Sequence, residues 1–228
     1  PNVERAVTRI YSPGTAIEEC KHSENNFLVT VYFQGEKQKV SSQNKKGVYL
    51  LTVGLSAIDL STGESHIYEA WSHLEDINYA MDETYRFIQA HNPKEIVIYA
   101  QDVDGLIDKE NISSLLDLQE HVTHLRIDVP KDYYKIEYQN QFLKKVFGQN
   151  NFGILSPIEW LDLENRAISV ISFILNLQFA WEHNEKIVNH LKKPAIWEQQ
   201  DHLVLANNTI NQLTLVSSGN TGGNGTGL

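Results

Sequence analysis

Four aspartates follow strand-like segments of this 228-residue sequence and are candidates for a shared metal site. Asp59 ends one apolar run, Asp102 and Asp104 follow the next, and Asp128 ends a third. Several carboxylates that converge on Mg²⁺ are what a metal-dependent nuclease requires. The alternative is structural: Asp59 caps the turn at Ser61–Gly63 and the other aspartates lie in loops. We favour the structural interpretation and treat the metal site as a motif-level hypothesis.

Three further motifs resemble functional sites but lack an essential part. Gly148–Gly153 has the glycine spacing of a phosphate loop, but two apolar residues follow it where Lys and Ser/Thr are required. His121 and His124 have no paired cysteines, so the polar edge of a strand is the better interpretation. Cys20 has no partner in the sequence that would activate it. We therefore assign no catalytic, cofactor-binding or metal-binding residue to this chain.

The charge balance argues against autonomous binding to nucleic acid. The sequence has 19 Lys and Arg against 29 Asp and Glu, a formal net charge of −10. Non-specific duplex binding is driven by cations that replace the counterions of phosphates. An acidic chain with scattered basic pairs is a poor DNA-binding protein by itself.

Composition and cysteine use predict an intracellular protein that is neither secreted nor inserted in a membrane. Hydrophobic residues make up 41% of the chain and charged residues 21%, which is ordinary for globular proteins. A single cysteine excludes an intrachain disulfide, and a signal-peptide pattern is absent. The longest apolar stretch, Ala167–Trp181, is interrupted by polar residues and is shorter than the ~20 residues that span a bilayer.

The hydrophobic pattern predicts a mixed α/β domain over residues 1–132. Three consecutive strands come first, with a flexible hairpin loop at Gln34–Lys46, and Ser72 with Glu75 forms a capping box that starts a helix ending at Asn92-Pro93. Strand and helix then alternate. The predicted strands are Phe27–Phe33, Val48–Leu60, Ser65–Tyr68, Glu95–Ala100 and Val122–Val129, with a short helix at Asp108–Gln119. A strand meander followed by such alternation favours an RNase H-like arrangement with flanking helices.

Residues 133–216 read as the incomplete beginning of an all-α core. Tyr133–Phe147 is predicted as a helix. Ser156-Pro157 then starts a single helix that keeps an apolar face to about Leu191, some 35 residues long, and Pro194 ends it. Such a helix, about 50 Å long, is typical of lever-like helical cores. Residues 217–228 are rich in Gly, Asn, Ser and Thr and read as a flexible linker at a truncated end.

The order of short motifs along the whole chain resembles the MutS family of DNA mismatch-repair proteins. The family's V-T-R-hydrophobic-x-S/T-P-G-T pattern stands at Val7–Thr15, and its small-hydrophobic-D-hydrophobic-S-T-G-E turn at Ala57–Glu64. Its N-P-x-E-hydrophobic strand entry is matched at Asn92–Ile96, its hydrophobic-x-L-D-x-x-T segment at Leu203–Leu213, and its Gly-rich linker at Ser217–Leu228. Two stretches depart from the pattern, Ala206-Asn207 and Lys135–Leu163, which indicates a divergent branch and leaves the subfamily open.

The resemblance implies that this chain is a connector domain plus the start of the helical core, an internal fragment of a dimeric ATPase. The parent would recognise mismatched double-stranded DNA through another domain and bind ATP and Mg²⁺ in an ATPase domain absent from this chain. The connector would transmit between those domains and help to form a docking surface for a MutL-like protein.

Two other functions stay open at this point. The first is an RNase H-like metal-dependent nuclease that uses Asp59 and nearby carboxylates. The second is an interaction module unrelated to DNA. Incubation with Mg²⁺ or Mn²⁺ and labelled nucleic acid tests the first, and a phosphate-loop sequence downstream of Leu228 would argue against the second.

Overall fold

We analysed a computed structural model of the chain. It describes residues 26–38, 48–103, 106–107, 112–118, 121–126, 129–148, 151–183 and 190–197. The motifs at Val7–Thr15, Leu203–Leu213 and Ser217–Leu228 lie outside these residues, as does Cys20. The predictions made on them therefore stay predictions.

Within the described residues, six strands form one mixed β-sheet. They are β1 (Phe27–Gln38), β2 (Val48–Asp59), β3 (Ser65–Trp71), β4 (Glu95–Gln101), β5 (Val122–Arg126) and β6 (Ala195–Ile196). Their order across the sheet is β5-β4-β1-β2-β3-β6. β2 runs antiparallel to β1 and β3, while the β1–β4, β4–β5 and β3–β6 pairs are parallel. The predicted meander and the two predicted strands after it are therefore confirmed. The parallel direction of those two strands and the presence of β6 are additions that the sequence pattern did not indicate.

Helices cover both faces of this sheet. They are α1 (Tyr79–His91), α2 (Ile112–Leu115), α3 (Ile136–Phe147), α4 (Pro157–Trp160) and α5 (Ala167–His183), with a 3₁₀ turn at Lys131–Tyr134. Successive side chains of a strand point to opposite faces, so β1 supplies both cores. Val29, Val31 and Phe33 pack with α1, whereas Leu28 and Tyr32 pack with α3 and α5. The prediction of a mixed sheet with flanking helices is confirmed.

The first strand is longer than its apolar run. Gln34–Gln38, predicted as part of a flexible loop, continue β1, and Gln38 lies opposite Val48 of β2. Because the backbone bonds of an antiparallel ladder do not depend on side-chain type, polar residues can extend a strand that an apolar run has started. Residues 39–47 lie outside the described part of the chain.

The predicted start of the first helix at Ser72 is wrong. The backbone N–H of Ser72 donates to the carbonyl of Leu51 at 2.8 Å, so this residue stays with the sheet. Helix α1 begins seven residues later, at Tyr79, and Glu75 lies in the loop between them. The Ser72 hydroxyl nevertheless accepts a hydrogen bond from the backbone N–H of Ala80 at 3.2 Å. It therefore satisfies an N-terminal donor of the helix from eight residues upstream.

The predicted 35-residue helix is also wrong, although its start is correct. Ser156 and Glu159 form a complete capping box at the N-terminus of α4. α4 is only four residues long, because Asp162 adopts a left-handed conformation with φ +58° that a right-handed helix cannot continue through. Helix α5 then begins at Ala167 and is described to His183. None of the described helices is long and apolar enough to cross a membrane.

Helix α5 packs on the sheet rather than extending away from it as a lever. Eleven of its residues are buried, on all sides of the helix, and it contacts β1, β2 and β3. One apolar core joins α3, α4 and α5 to strand residues such as Leu28 and Ile58. The predicted domain limits at residues 132 and 216 are not tested by this packing and stay predictions.

Trp197 ends the described part of the chain on the same sheet. Its backbone N–H donates to the carbonyl of Ile67 in β3 at 2.9 Å, directly after β6. Its indole ring contacts Tyr68, Phe87 and His91 at centroid distances of 5.1–6.4 Å. Trp197 therefore packs between β3 and α1, on the face of the sheet opposite α5.

We expect Gly54→Ala to destabilise the fold, because α5 lies directly on this glycine. A Cβ atom at Gly54 would stand 2.2 Å from the backbone oxygen of Ile168. Moving a packed helix away costs about 1–3 kcal/mol or more. The control is Gly153→Ala, where a Cβ meets no described atom within 4 Å but φ is +60°, so backbone strain of about 1–2 kcal/mol is the expected cost and Gly54→Ala should lose more. Denaturant unfolding measures both, and an equal loss in both variants would contradict the close packing.

Candidate functional site

The candidate metal ligands do not converge. Asp59 lies beside the first residue of β1, whereas Asp102 directly follows β4, whose last residue lies beside Gln34. Those two points are seven residues apart along β1, or about 23 Å at 3.3 Å per residue. Since a carboxylate oxygen lies within about 2.6 Å of a bound Mg²⁺ or Ca²⁺, Asp59 and Asp102 cannot bind one ion together. Asp104 and Asp128 lie outside the described residues.

Asp59 instead caps the S-T-G-E turn, as the structural interpretation predicts. Its carboxylate accepts hydrogen bonds from the backbone N–H and hydroxyl of Ser61 at 2.9 and 2.5 Å, and from the hydroxyl of Thr62 at 2.9 Å. Its backbone oxygen accepts from Gly63, whose φ of +73° closes the turn. Burial of Asp59 by itself raises its pKa, but the bonds from Ser61 and Thr62 outweigh it and hold the pKa below the usual value.

The two histidines of the H-x-x-H motif serve different contacts. His121 uses Nδ1 to bond the carbonyl of Pro93 at 2.8 Å. His124 uses Nε2 to bond the carboxylate of Glu95 at 2.7 Å, and its ring packs on Phe179. His124 lies in β5, at one edge of the sheet, and His121 directly precedes that strand, which agrees with the predicted polar strand edge. Among the described residues, no group of three or more His, Cys, Asp or Glu side chains is placed to hold a metal ion.

The glycine-containing segment that resembles a phosphate loop ends helix α3. Gly148 follows the last helical residue with φ +83°, and the side-chain amide of Asn151 donates to the carbonyl of Phe147. Phe152 is buried and packs edge-on against Trp160 at 5.2 Å between ring centroids. A buried aromatic side chain within this segment indicates a helix-terminating loop.

A buried polar seam joins α5 to the centre of the sheet. We define this polar seam as Ser172 and Asn176 of α5 with Thr30, Ser56 and Leu28 of β1 and β2. The Asn176 amide nitrogen donates to the carbonyls of Leu28 and Ser56 at 3.2 and 3.0 Å. The Ser172 hydroxyl donates to the carbonyl of Thr30 at 2.9 Å, and the Ser56 hydroxyl donates to the carbonyl of Ser172 at 3.0 Å. All five side chains are fully buried.

The N-terminus of α5 is fixed by a carboxylate from β3. Glu69 Oε2 accepts a hydrogen bond from the backbone N–H of Ser169 at 3.0 Å. This places a carboxylate at the positive end of the helix, in the position that an N-cap side chain usually occupies. Burial raises the pKa of Glu69, and the helix N–H groups and Arg166 only partly offset that effect.

A second hydrogen-bonded group lies where β4 ends, beside the middle of β1. The hydroxyl groups of Tyr32 and Tyr134 are 3.1 Å apart, and Tyr32 also bonds Gln34 at 3.1 Å. Tyr134 bonds the side-chain oxygen of Gln101 at 3.3 Å, next to Asp102. Burial raises the pKa of Tyr32, so its hydroxyl stays protonated and available as a donor.

The sequence carries a signal for the polar seam, namely two polar residues within an apolar helix, which matches none of the motifs discussed above. Ser172 and Asn176 interrupt the most apolar helix of the chain and are four residues apart, so they lie on one side of it. A polar residue in an otherwise buried helix must find a hydrogen-bond partner, and the sheet backbone provides it. Ser172 and Asn176 therefore have a structural role, because their hydrogen bonds align α5 with β1 and β2.

Comparisons with known proteins agree with the order of motifs. No family model matches the chain. The chain is 33% identical, over 96% of its length, to a putative DNA mismatch repair protein, a mutS homolog of Acanthamoeba polyphaga mimivirus, of which it covers 20%. It is 27% identical, over 94% of its length, to the DNA mismatch repair protein MutS of Fervidobacterium nodosum, of which it covers 21%.

These relatives define the class: the chain belongs to the MutS family. It spans about a fifth of the length of the curated relatives that it matches. Among solved structures, the nuclease domain of the large terminase subunit gp2 of bacterial virus Sf6 is 10% identical, with 71% of this chain and 72% of that chain covered and a TM-score of 0.29. A TM-score this low supports no inference about activity.

Asp59→Ala should destabilise the protein in a pH-dependent way. The variant leaves the Ser61 and Thr62 donors without their acceptor, which costs about 1–3 kcal/mol at pH 7. Because the folded-state pKa of Asp59 is lowered, its contribution is present above the ordinary aspartate pKa and is lost as the pH falls through the folded value. Urea unfolding at pH 7 and near pH 3 measures this. The control is Glu64→Ala, whose exposed ion pair with Lys192 contributes little. A difference from wild type that is unchanged by pH would contradict the assignment.

Asn176→Asp should be more damaging than Asn176→Leu. The aspartate carboxylate would face the carbonyl oxygens of Leu28 and Ser56 in a buried position, which costs about 3 kcal/mol or more. Leucine removes the donors without adding charge and costs about 1–3 kcal/mol. The free energy of unfolding of the aspartate variant should increase as the pH falls, because a protonated carboxyl can donate a hydrogen bond. The exposed Asn165→Asp serves as the control and should change stability by no more than about 0.5 kcal/mol. Equal effects of aspartate and leucine at position 176 would contradict the described donor arrangement.

Proposed function

We propose that this chain is the connector of a MutS-like DNA mismatch repair ATPase, transmitting between a mismatch-binding domain and an ATPase domain that lie in other parts of the protein. The proposal is supported by homology that extends along nearly the whole chain. It is also supported by the order of the short motifs, of which the turn at Asp59 and the strand entry at Asn92-Pro93 lie in the described residues. No catalytic role is proposed for this segment.

The topology supports an RNase H-like arrangement for this connector. The sheet order β5-β4-β1-β2-β3, with β2 alone antiparallel to its neighbours within that set, corresponds to a three-strand meander extended by two parallel strands. Helices lie on both faces. A shared architecture does not carry a shared activity, and the separation of Asp59 from Asp102 argues against a nuclease that uses that pair.

The observation that carries the transmission proposal is the polar seam. Transmission requires a segment that moves as one body, so that a displacement at one end reaches the other. An apolar interface alone permits helices to slide, whereas the Asn176 and Ser172 bonds fix α5 in one register on β1 and β2. Glu69 fixes the N-terminus of the same helix. The described core is therefore suited to rigid-body movement.

The remaining parts of the proposal concern the whole protein. We propose that it binds mismatched double-stranded DNA through other domains, since this acidic segment is a poor DNA-binding surface. We propose further that it dimerises, that ATP and Mg²⁺ bind in its ATPase domain, that a MutL-like protein docks on it, and that it acts inside the cell. Distant ATP and DNA sites would shift the population of connector orientations.

The first test is the coding sequence downstream of Leu228. A G-x-x-x-x-G-K-[ST] phosphate loop within about two thousand nucleotides would identify the ATPase domain that the proposal requires. An unrelated domain in that position would remove the transmission role and leave only the fold.

The second test is functional and uses the full-length protein. Ser172→Ala removes the bond to Thr30 and weakens the polar seam by about 1 kcal/mol without introducing charge. We expect mismatch-stimulated ATP hydrolysis to fall several-fold, since couplings of this kind are worth about 5–150-fold, while basal hydrolysis stays unchanged. Ser114→Ala, on an exposed position of α2, is the matched control.

Two outcomes of that experiment would contradict parts of the proposal. Full stimulation in Ser172→Ala, combined with the stability loss expected in the purified chain, would show that transmission does not depend on the polar seam. Identical hydrogen exchange of the connector with and without nucleotide and mismatch would show that this segment does not take part in switching at all.

A further inference from the structure

An open groove lies between the start of α3 and the α4–α5 segment. Its volume is about 380 Å³, within the range of roughly 300–1,000 Å³ typical of binding sites. Its floor is apolar and includes Ile158, Val170 and Ile171, while Ile136 and Tyr134 stand on one wall. We call this feature the α3–α5 groove.

The apolar surface continues out of the α3–α5 groove into solvent. Ile136 is 63% exposed, and Leu155, next to the lining residue Ser156, is 47% exposed. Ile154 is fully exposed. Large aliphatic side chains that extend an apolar groove at its rim are typical of surfaces that are covered by another protein.

The walls of the α3–α5 groove are fixed before anything binds. The side-chain oxygen of Asn140 on α3 accepts a hydrogen bond from the backbone N–H of Ile158 on α4 at 3.1 Å, which joins the two walls. The Ser156–Glu159 capping box holds the start of α4. Tyr134 is held by its bonds to Tyr32 and Gln101. A preformed groove lowers the entropic cost of binding.

Charge selects the kind of partner. Glu159 and Glu164 line the rim, and among the described lining residues there is no Lys, Arg or His. Three cations close to lining residues in sequence or space interact with other carboxylates: Lys135 pairs with Asp132 at 2.6 Å, Lys193 pairs with Asp162 at 2.5 Å, and Arg166 lowers the pKa of Glu69. Within the described residues Glu164 makes no ion pair. A rim of carboxylates repels nucleic acid and anionic membranes and attracts cations.

We propose that the α3–α5 groove docks a cationic amphipathic helix of a partner protein, with its aliphatic side chains on the apolar floor and its Lys or Arg side chains at Glu159 and Glu164. The helix-in-groove mode fits because the walls are helices and the described rim offers no strand for an added strand to pair with. The inference gives a location and a chemistry to the partner docking of the proposed function and does not depend on transmission.

The experiment uses the 228-residue chain and a labelled 18-residue peptide of Leu and Lys, with Leu at helical i, i+3, i+4 and i+7 positions. Fluorescence anisotropy measures its binding to wild type, to Ile136→Ser/Glu164→Lys, and to Ile77→Ser/Glu75→Lys. The last is a matched control, since Ile77 is also 63% exposed and Glu75 is an exposed acid, but neither lines the groove. We expect the groove variant to weaken binding about tenfold or more and the control to leave it within about twofold.

Three outcomes would overturn the inference. Equal weakening by both double variants would show that the peptide responds only to the negative charge of the chain. Equal binding of a peptide with Glu in place of Lys would show that the rim does not select charge. Concentration-dependent self-association that is lost in Ile136→Ser, measured by sedimentation without peptide, would assign the groove to a second copy of the chain.

The assay is independent of the ATPase measurement described above. A chain that binds the peptide through the groove but shows no transmission in the full-length protein would leave the docking inference standing alone. A chain that does not bind the peptide through the groove but shows transmission in the full-length protein would support the transmission proposal and rule out docking in the α3–α5 groove.

Discussion

The structure depends on the hydrogen bonds that the Asn176 amide makes with the sheet. Helix α5 is buried on all sides, so hydrophobicity alone does not determine which of its faces meets β1 and β2 or how far it is shifted along them. A side-chain amide that must reach two particular carbonyls removes that freedom, because every other register leaves a buried donor unsatisfied. Ser172 repeats the constraint one turn away.

Specificity of this kind is obtained at some cost in stability. The Asn176 side-chain oxygen and the Thr30 hydroxyl are buried and have no hydrogen-bond partner among the residues that the structure describes. An all-aliphatic interface would avoid those unsatisfied groups, yet it would permit several registers of similar energy. Gly54 contributes from the other side, since its missing side chain lets the backbone of α5 approach the sheet closely. The hydrogen bonds of the polar seam and the close approach of α5 at Gly54 together explain why this apolar helix occupies a single position on the sheet.

Much of the fold was predictable from the sequence, and the failures share a physical cause. The strands, the turn at Asp59 and the end of α1 at Asn92-Pro93 are recorded in local residue patterns, which the structure reproduces. The predicted helix start at Ser72 was wrong because a backbone bond to Leu51, distant in sequence, holds that residue in the sheet. β6 escaped prediction for the same reason, since its two residues are a strand only through pairing with β3.

The candidate sites were harder to predict than the elements. Four aspartates at strand ends suggested convergence, but the register of β1 against β2 and β4 puts Asp59 and Asp102 at opposite ends of the sheet. Register depends on pairing between distant strands, and the sequence does not state it directly. The α3–α5 groove was also invisible, because the break at Asp162 that forms one of its walls lies within a pattern that reads as continuous helix.

The position of Trp197 determines where a force on the chain at that residue would enter the sheet. Its ring is held between β3 and α1, and its backbone is bonded to Ile67, on the side of the sheet away from α5. A force on the chain at Trp197 would therefore act first on β3, β6 and α1. It would reach the polar seam only through β2. The sheet lies between Trp197 and the α3–α5 groove, so a force applied at Trp197 can reach the groove only through the strands.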